Sequence, residues 1–312
     1  MGDVVIPFAV KPLGVRGRIV RLGAVIDDIL SRHDYPDTVS ALLAESIALT
    51  AMLGTALKFD GKFIVQTKTS GPVNMVVADY AAPGGVRGCA KYSKEKLDAL
   101  SKPDQKQLLG EGYLGMTVDQ GSDMERYQGI VPLGLSTLAD AAHTYFQQSE
   151  QIPTRLRIAA GPLMARGDKQ AHWRAGAILV QHIPVEGGLP PMNFPSGDAP
   201  EGLKVETPED DNWVKARLLL NTVEDHELLD PTLTAEEILY RLYHEDGVTV
   251  YPPIAINRYC SCSREAVSLM LANFSDTDRA DMAKDGTIEV ACEFCSTTYQ
   301  FKPSDFDSTP SV

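Results

Sequence analysis

The chain has 312 residues, of which 44% are hydrophobic and 23% are charged, and its formal net charge is -13 at pH 7. This length is enough for two or three structural units, and at least one of them can bury a full-sized core. The acidic balance argues against a nucleic-acid partner, because proteins that bind nucleic acid present Lys and Arg to the phosphates.

The N-terminal segment, MGDVVIPFAVKPLGVRG, lacks the basic region, the continuous apolar region and the small-residue cleavage site of a secretory signal. A myristoylation signal fails because Ile6 stands where Ser or Thr is required. The sequence also contains no run of about 18 consecutive apolar residues, so it predicts no membrane span and no membrane partner. We therefore expect a cytoplasmic protein, in a compartment that keeps thiols reduced.

The first part of the chain alternates strand-like and helical patterns. Strands are predicted at 16–25, on either side of a Gly71-Pro72 turn within 62–80, at 112–120, at 128–133, and in the segments TRLRIAAGPL and WRAGAILVQHI. Helices are predicted at 36–59 and 136–151. Strands in hairpin order with helices between them predict an α+β domain, a mixed sheet-and-helix unit over residues 1–190.

A linker is predicted over residues 191–252. Residues 183–211 are rich in Pro, Gly and acidic side chains, which favours an exposed crossing segment. A helical pattern follows at 212–224, and Thr234 with Glu237 forms a capping box for the helix AEEILYRLYHED, which Gly247 should end. Residues 200–246 contain 4 Lys or Arg against 13 Asp or Glu, so the linker helices should have an acidic exposed face.

Residues 253–312 form a third predicted unit, a small module after the Pro252-Pro253 pair. A helix in SREAVSLMLANF should place Val267, Met270, Leu271 and Phe274 on one face. Ser275 and Asp278 form a capping box for a second short helix that Gly286 should end. The segments TIEVAC and TTYQF are predicted to pair as strands.

Four of the five cysteines lie in this module, as a C-x-C pair, Cys260 and Cys262, and a C-x-x-C pair, Cys292 and Cys295, with 29 residues between the pairs. Two close pairs of thiolates are typical of a closed tetrahedral zinc site, so we predict one Zn²⁺ per chain in the reduced protein. Four free thiols in a small core, or a structural disulfide framework, are the alternatives. Cys89 is expected to be a small buried residue rather than a fifth ligand.

Signatures of catalysis are absent from the sequence. It contains no G-x-x-x-x-G-K-[ST], no G-x-S-x-G and no H-E-x-x-H, and its six histidines are scattered. We therefore expect no catalytic residue, no cofactor-binding residue and no enzymatic activity.

The cysteine spacing, preceded by Asn257-Arg258-Tyr259, resembles the 33-kilodalton heat-shock chaperonin family. The segments SGPVNMVVADY, VRGCAKY, GEGYLGMTVDQ, MERYQGIVPL and YFQQSEQIPTRL resemble that family's core segments in the expected order. The resemblance spans nearly the whole chain. It departs from the family pattern at Cys89, where a Tyr is expected, and in the Pro-rich stretch at 190–211, which is longer.

The resemblance implies a redox-regulated chaperone, a holdase that binds unfolding proteins under oxidative stress. It would be inactive when reduced and zinc-bound, and active after disulfide formation, zinc release and unfolding of the linker. The implied disulfides join Cys260 with Cys262 and Cys292 with Cys295, although four cysteines allow three connectivities. The implied partners are unfolded client proteins and, in the oxidised state, a second copy of the chain.

Two functions of other classes are also compatible with the sequence. A thiol-disulfide oxidoreductase would use Cys292 and Cys295, but its C-x-x-C would normally open a helix, whereas STTYQF is strand-like. A static zinc ribbon that only docks partners would show no change of function on oxidation.

Overall fold

The computed structural model describes residues 2–56, 61–120, 126–134, 136–164, 169–183 and 209–306. The strands are β1 (Val4–Val10), β2 (Val15–Leu22), β3 (Lys62–Thr69), β4 (Val73–Ala81), β5 (Gly85–Tyr92), β6 (Gly112–Asp119), β7 (Tyr127–Pro132), β8 (Thr154–Leu163), β9 (His172–His182), β10 (Thr249–Val250), β11 (Ile254–Ala255), β12 (Asn257–Arg258), β13 (Ile288–Ala291) and β14 (Thr298–Phe301). The helices are α1 (Ala24–Leu30), α2 (Asp37–Gly54), α3 (Lys94–Asp98), α4 (Gln105–Leu109), α5 (Leu138–Tyr145), α6 (Asp211–Asn221), α7 (Asp225–Leu229), α8 (Ala235–Tyr243), α9 (Arg264–Ala272) and α10 (Asp276–Met282). This mixture of sheets and helices confirms the predicted α+β class.

Two six-stranded sheets form the core. The first has the order β10-β1-β2-β9-β8, with β11 also paired to β1, and all of its described pairings are antiparallel. The second has the order β12-β5-β4-β3-β6-β7, in which only the β12–β5 pair is parallel among the described strands. A separate two-stranded sheet pairs β13 with β14 near the C-terminal end.

Helix α2 packs against both core sheets. Its buried residues, among them Leu43, Ile47 and Met52, belong to a large apolar cluster with side chains from each sheet. By length and composition α2 resembles a helix that crosses a membrane, but 72% of it is buried inside the protein. Because it is covered on both sides by strands, its apolar composition is explained by the core.

The linker helices α6, α7 and α8 cover the other face of the first sheet. A second apolar cluster joins them to the strands, and Trp213, Leu228 and Tyr243 are its buried linker members. The ring of Tyr243 stacks on Phe8 of β1 with centroids 6.0 Å apart, and its hydroxyl donates to the carbonyl of Ala216. This face of the sheet would be exposed to solvent without the linker.

The chain between the linker and the cysteine module runs along both core sheets. Strands β10 and β11 pair with β1 of the first sheet, and β12 pairs with β5 of the second. The Pro252-Pro253 pair lies between β10 and β11. The linker and the module are therefore connected through a segment that is itself held by the core.

Most strands and helices predicted for the first 190 residues are confirmed, including the β3–β4 hairpin around Gly71-Pro72. The predicted 16–25 strand ends earlier, at Leu22, and α1 begins at Ala24. Strands β1 and β5 and helices α1, α3 and α4 were not predicted. The proposed crossing segment at 183–211 lies mostly outside the described residues.

In the linker, the capping box of Thr234 and Glu237 is confirmed at the start of α8. That helix ends at Tyr243, before the predicted Gly247, which has a positive φ of 75°. The capping box of Ser275 and Asp278 is confirmed at α10, which ends at Met282 rather than next to Gly286.

Candidate metal centre

The four cysteines lie on two loops that meet. Cys260 and Cys262 lie between β12 and α9, directly after a strand that is paired with the core. Cys292 follows the last residue of β13, and Cys295 lies three residues before β14, so both belong to one hairpin turn. The predicted pairing of TIEVAC with TTYQF is confirmed, and it is what places the second cysteine pair.

The hairpin turn is closed by backbone hydrogen bonds around Cys292. Its amide donates to the carbonyl of Thr297 at 3.0 Å, and its carbonyl accepts from the amide of Ser296 at 2.8 Å. Ser296 adopts a left-handed φ of 55° to make this turn. The turn holds the Cys292 and Cys295 side chains on the side that faces the first pair.

The four sulfur atoms form a compact group. The Sγ atoms of Cys260 and Cys262 are 3.2 Å apart, those of Cys262 and Cys295 are 3.3 Å apart, and those of Cys260 and Cys292 are 3.8 Å apart. All four lie within 4.8 Å of one another. A tetrahedral zinc site with Zn–S bonds of about 2.3 Å has sulfurs about 3.8 Å apart. None of the four is in a disulfide, since all are free.

These residues therefore fit a metal ion, and their donor set fits zinc, because four soft sulfurs favour zinc over hard cations. The predicted tetrad is brought together, while Cys89 is not part of the group. Cys89 is 2% exposed on β5, opposite Val77 of β4. Burial, followed by the charges of Glu293 and Asp79, raises the pKa of its thiol to about 12.

Burial and polar neighbours shift the pKa values of the individual thiols in different directions. Burial alone would raise the pKa of Cys295, but hydrogen bonding with Thr297, whose hydroxyl lies 3.3 Å from the sulfur, outweighs it and lowers that pKa. Burial raises the pKa of Cys262, although the Tyr299 hydroxyl lies 3.4 Å from its sulfur and acts in the opposite direction. These surroundings therefore shift the pKa values of Cys295 and Cys262 in opposite directions.

The apolar core of the module is small. Among its described residues, the buried members of this core are Leu271, Ile288, Phe301 and Phe306, and the partly buried ones are Val267, Ala283, Val290 and Tyr299. Two residues expected on the same helix face are largely exposed, Met270 at 46% and Phe274 at 39%. A core of this size contributes little stability, so a bound metal would supply much of it, about 10–16 kcal/mol in small zinc-folded peptides.

The module docks on the second core sheet through residues that the sequence did not indicate. Lys91 of β5 pairs with Glu293 at 2.6 Å, and His33 lies 3.4 Å from the Ser296 hydroxyl. Arg87, also on β5, contacts both cysteine loops. The sequence contained no sign of this role, because nothing in the pattern around Arg87 separates it from the other basic residues of the chain.

Comparison with known proteins places the whole chain in one group. Residues 3–302 match the family model described as Hsp33 protein. The chain is 43% identical over 308 residues to the 33 kDa chaperonin of Caulobacter vibrioides, covering 97% of this chain and 96% of that one. It is 35% identical over 299 residues to the 33 kDa chaperonin of Escherichia coli, covering 96% and 91%.

The fold agrees with a solved structure. The crystal structure of the 33 kDa chaperonin (heat shock protein 33 homolog) from Thermotoga maritima matches with a TM-score of 0.78 and 22% identity, covering 98% of this chain and 97% of that one. The family match over nearly all residues and the identities above agree with the resemblance seen in the sequence. The chain belongs to the Hsp33 family.

Proposed function

We propose that this protein is a redox-regulated holdase chaperone that binds unfolding proteins under oxidative stress. The observation that carries the proposal is the apolar face of the first core sheet, which is covered by linker helices joined to a four-thiol site. Apolar surface that can be uncovered is what captures unfolding clients. Since its relatives are named chaperonins, we propose that it acts by binding and not by catalysis.

Zinc, when bound to Cys260, Cys262, Cys292 and Cys295, would hold the four sulfurs as thiolates and tie the two loops together. A thiolate attacks one oxygen of hydrogen peroxide, which gives a sulfenic acid and releases hydroxide. A second thiolate then attacks the sulfenic sulfur, a disulfide forms, and hydroxide leaves. Each disulfide thus uses one peroxide as two-electron oxidant and removes two ligands.

The proposed disulfides join Cys260 with Cys262 and Cys292 with Cys295. Each pair lies within one loop, so neither disulfide crosslinks the two loops of the module. Such short closures restrict the unfolded chain little. The small core of the module would then have neither the metal nor a long crosslink to stabilise it, and we expect the module to unfold.

Unfolding of the module would weaken the packing of the linker helices on the first sheet, because the β10–β12 segment connects the module to the linker. The linker carries the acidic side chains of Glu236 and Glu237 on the exposed side of α8, and these would keep the opened protein in solution. We further propose a cytoplasmic location, a dimer of oxidised chains formed through residues 1–190, and no nucleic-acid or membrane partner.

Two assays run side by side test the proposal. Reduced, zinc-loaded protein and oxidised, zinc-free protein are each tested for suppression of the aggregation of a heat-unfolded client and for reduction of insulin by dithiothreitol. We expect the oxidised form alone to suppress aggregation, and neither form to accelerate insulin reduction. An oxidised sample that leaves client aggregation unchanged would overturn the proposal.

The same assays address the alternatives. An oxidoreductase would accelerate insulin reduction, but Cys292-x-x-Cys295 here connects two strands and does not open a helix that would activate the first thiol. A static zinc ribbon would behave alike in both redox states in both assays.

A further inference from the structure

Arg87 is anchored in the core sheet by a buried carboxylate. It lies on β5, and its Nε donates a hydrogen bond to Oδ2 of Asp79 on the neighbouring strand β4 at 2.8 Å, while its Nη2 forms an ion pair with the same oxygen at 2.6 Å. The Asp79 side chain is only 4% exposed and that of Arg87 16%. A charge-assisted hydrogen bond and an ion pair to one buried carboxylate oxygen anchor the guanidinium.

The same guanidinium contacts both cysteine loops. Its Cζ lies 3.9 Å from the ring centroid of Phe294, between Cys292 and Cys295, and 5.2 Å from that of Tyr259, next to Cys260. Its Nη1 lies 3.1 Å from the hydroxyl oxygen of Ser261, between Cys260 and Cys262. One core residue therefore contacts the neighbours of Cys260, Cys262 and Cys295, and a residue two positions from Cys292.

The two loops depend on this contact to different degrees. The first loop is held by the core backbone, because β12 pairs with β5 and the amide of Tyr259 donates to the carbonyl of Val86 at 3.0 Å. The ring of Tyr259 lies so close to β5 that a Cβ on Gly85 would be 2.9 Å from it. By contrast, the described contacts of the second loop with the core are made by side chains, those of Arg87, Lys91 and His33.

We propose that Arg87 is a positioning residue for the metal centre, which holds the Cys292–Cys295 loop against the Cys260–Cys262 loop and thereby sets how readily the site opens. This inference rests on the proposed function, in which opening of the site is the activating event. Contact between a guanidinium and an aromatic face is strongest where water is excluded, as it is beside the buried Asp79. When the second loop leaves, Arg87 loses the Phe294 face and keeps its contacts to Asp79 and the first loop.

Lys91 provides the matched control. It lies on the same strand and pairs with Glu293 of the same loop, but both side chains are more than half exposed, at 53% and 57%. An exposed ion pair of this kind contributes little to docking, because water and salt screen it. The contacts of Arg87 and Lys91 thus predict opposite outcomes for two substitutions at one interface.

The experiment compares full-length, reduced, zinc-loaded wild type with Phe294→Leu, Arg87→Lys, the double variant and Lys91→Ala. Phe294→Leu removes the ring and leaves the Asp79 pair intact, and Arg87→Lys keeps a positive charge beside Asp79. The rate of zinc release to an excess of a chromogenic chelator is measured with and without hydrogen peroxide. Hydrogen exchange of residues 292–299 is measured on the same samples.

We expect Phe294→Leu and Arg87→Lys each to release zinc about tenfold faster than wild type, with faster exchange at 292–299. The double variant should be no faster than the faster single variant, because both changes break one contact. Lys91→Ala should stay within about twofold of wild type. If Arg87→Lys fails to fold, Phe294→Leu carries the test alone.

Release rates for Phe294→Leu within about twofold of wild type would overturn the proposal, as would rates for Phe294→Leu and Lys91→Ala that rise equally. Neither readout involves a client protein, so the two proposals fail separately. Unchanged zinc release from Phe294→Leu, together with an oxidised wild type that suppresses client aggregation, would reject only the role of Arg87. Faster zinc release from Phe294→Leu, together with an oxidised wild type that does not suppress client aggregation, would reject only the chaperone function.

Discussion

Gly176 on β9 lies directly against the backbone of Leu228 in linker helix α7, where a Cβ on the glycine would be 2.4 Å from the Leu228 carbonyl oxygen. Only a residue without a side chain fits there, so Gly176→Ala should push α7 away from the sheet. We expect the reduced, zinc-loaded variant to suppress client aggregation in part, at a cost of about 1–3 kcal/mol in the free energy of unfolding. The aggregation assay and denaturant unfolding measure both effects.

Gly161→Ala is the control for this prediction. Gly161 lies on the neighbouring strand β8 and faces the same helix, but a Cβ there would be 3.7 Å from Leu229, an ordinary contact. This variant should remain inactive when reduced. Equal activation of the two variants would show that any added side chain on these strands loosens the linker. The close approach of Leu228 to Gly176 would then not explain the activation.

The metal itself gives a second prediction. Protein purified under reducing conditions should contain one zinc per chain, and X-ray absorption should show sulfur ligands at about 2.3 Å. The prediction follows from four sulfurs within 4.8 Å of one another. Nitrogen or oxygen in the first coordination shell would contradict the assignment of all four cysteines.

Cys89→Ala tests whether the redox chemistry is confined to the tetrad. Because burial raises the pKa of Cys89 to about 12, almost none of it is thiolate at pH 7, and the thiol form reacts slowly with peroxide. The variant should keep its zinc and its redox switching, and lose about 1 kcal/mol of stability through the small cavity. Mass spectrometry after peroxide treatment of the wild type should find Cys89 unmodified.

Signals from residues that lie close together in the chain predicted part of this structure well. The capping boxes at Thr234 and Ser275, the β3–β4 hairpin and the β13–β14 pairing all depend on residues close together in the chain, and their signals are visible in it. The two cysteine pairs also have a local signature. Their meeting in one site followed from the chemistry of thiolates and not from periodicity.

Strand β1 was missed because Pro7 interrupts its pattern, and proline is unfavourable in a central strand. The Pro7 carbonyl accepts from the amide of Tyr251 at 2.9 Å, so the Pro7 nitrogen faces the same side. On that side the partner strand is interrupted between β10 and β11, and the missing donor is tolerated. This compensation comes from residues far along the chain, which a local pattern does not contain.

Strand β5 was missed for a related reason. Gly85 and Gly88 weaken its strand pattern, yet they are required because Tyr259 and the α2 side chains Leu43 and Ile47 approach its backbone closely. Arg87, between these glycines, acquires its role only when the cysteine loops dock on it. Docking between distant segments is therefore the part of the site that the sequence did not reveal.

A half-buried carboxyl in α2 predicts a pH dependence of stability. Burial, opposed by a hydrogen bond from Gln105 and assisted by the charge of Asp225, raises the pKa of Glu45 to about 7 from 4.5. Between these values the folded state holds a proton that the unfolded state has lost, so its contribution to stability falls as pH rises from about 4.5 through about 7. Glu45→Gln, which stays uncharged, should remove that loss.

We expect Glu45→Gln to be more stable than wild type by about 1–2 kcal/mol at pH 8, and close to wild type at pH 5. Denaturant unfolding at the two pH values measures this difference. Glu95→Gln, the same change at an exposed position of α3, is measured beside it as the control. A Glu45→Gln variant whose advantage is the same at both pH values would rule out titration of Glu45 as its source.

In the proposed function, the metal site controls how the linker covers the first sheet. The most direct test of this control is hydrogen exchange of α6, α7 and α8 in reduced protein that carries Cys260→Ser and Cys262→Ser, with aggregation suppression measured on the same sample. Hydroxyl oxygen is a poor substitute for thiolate in a soft site, so zinc should be lost without any oxidant. We expect fast exchange over 211–243 and partial chaperone activity. Linker amides that stay as protected as those of the zinc-bound wild type, in a variant whose module has unfolded, would show that the metal site does not control the linker.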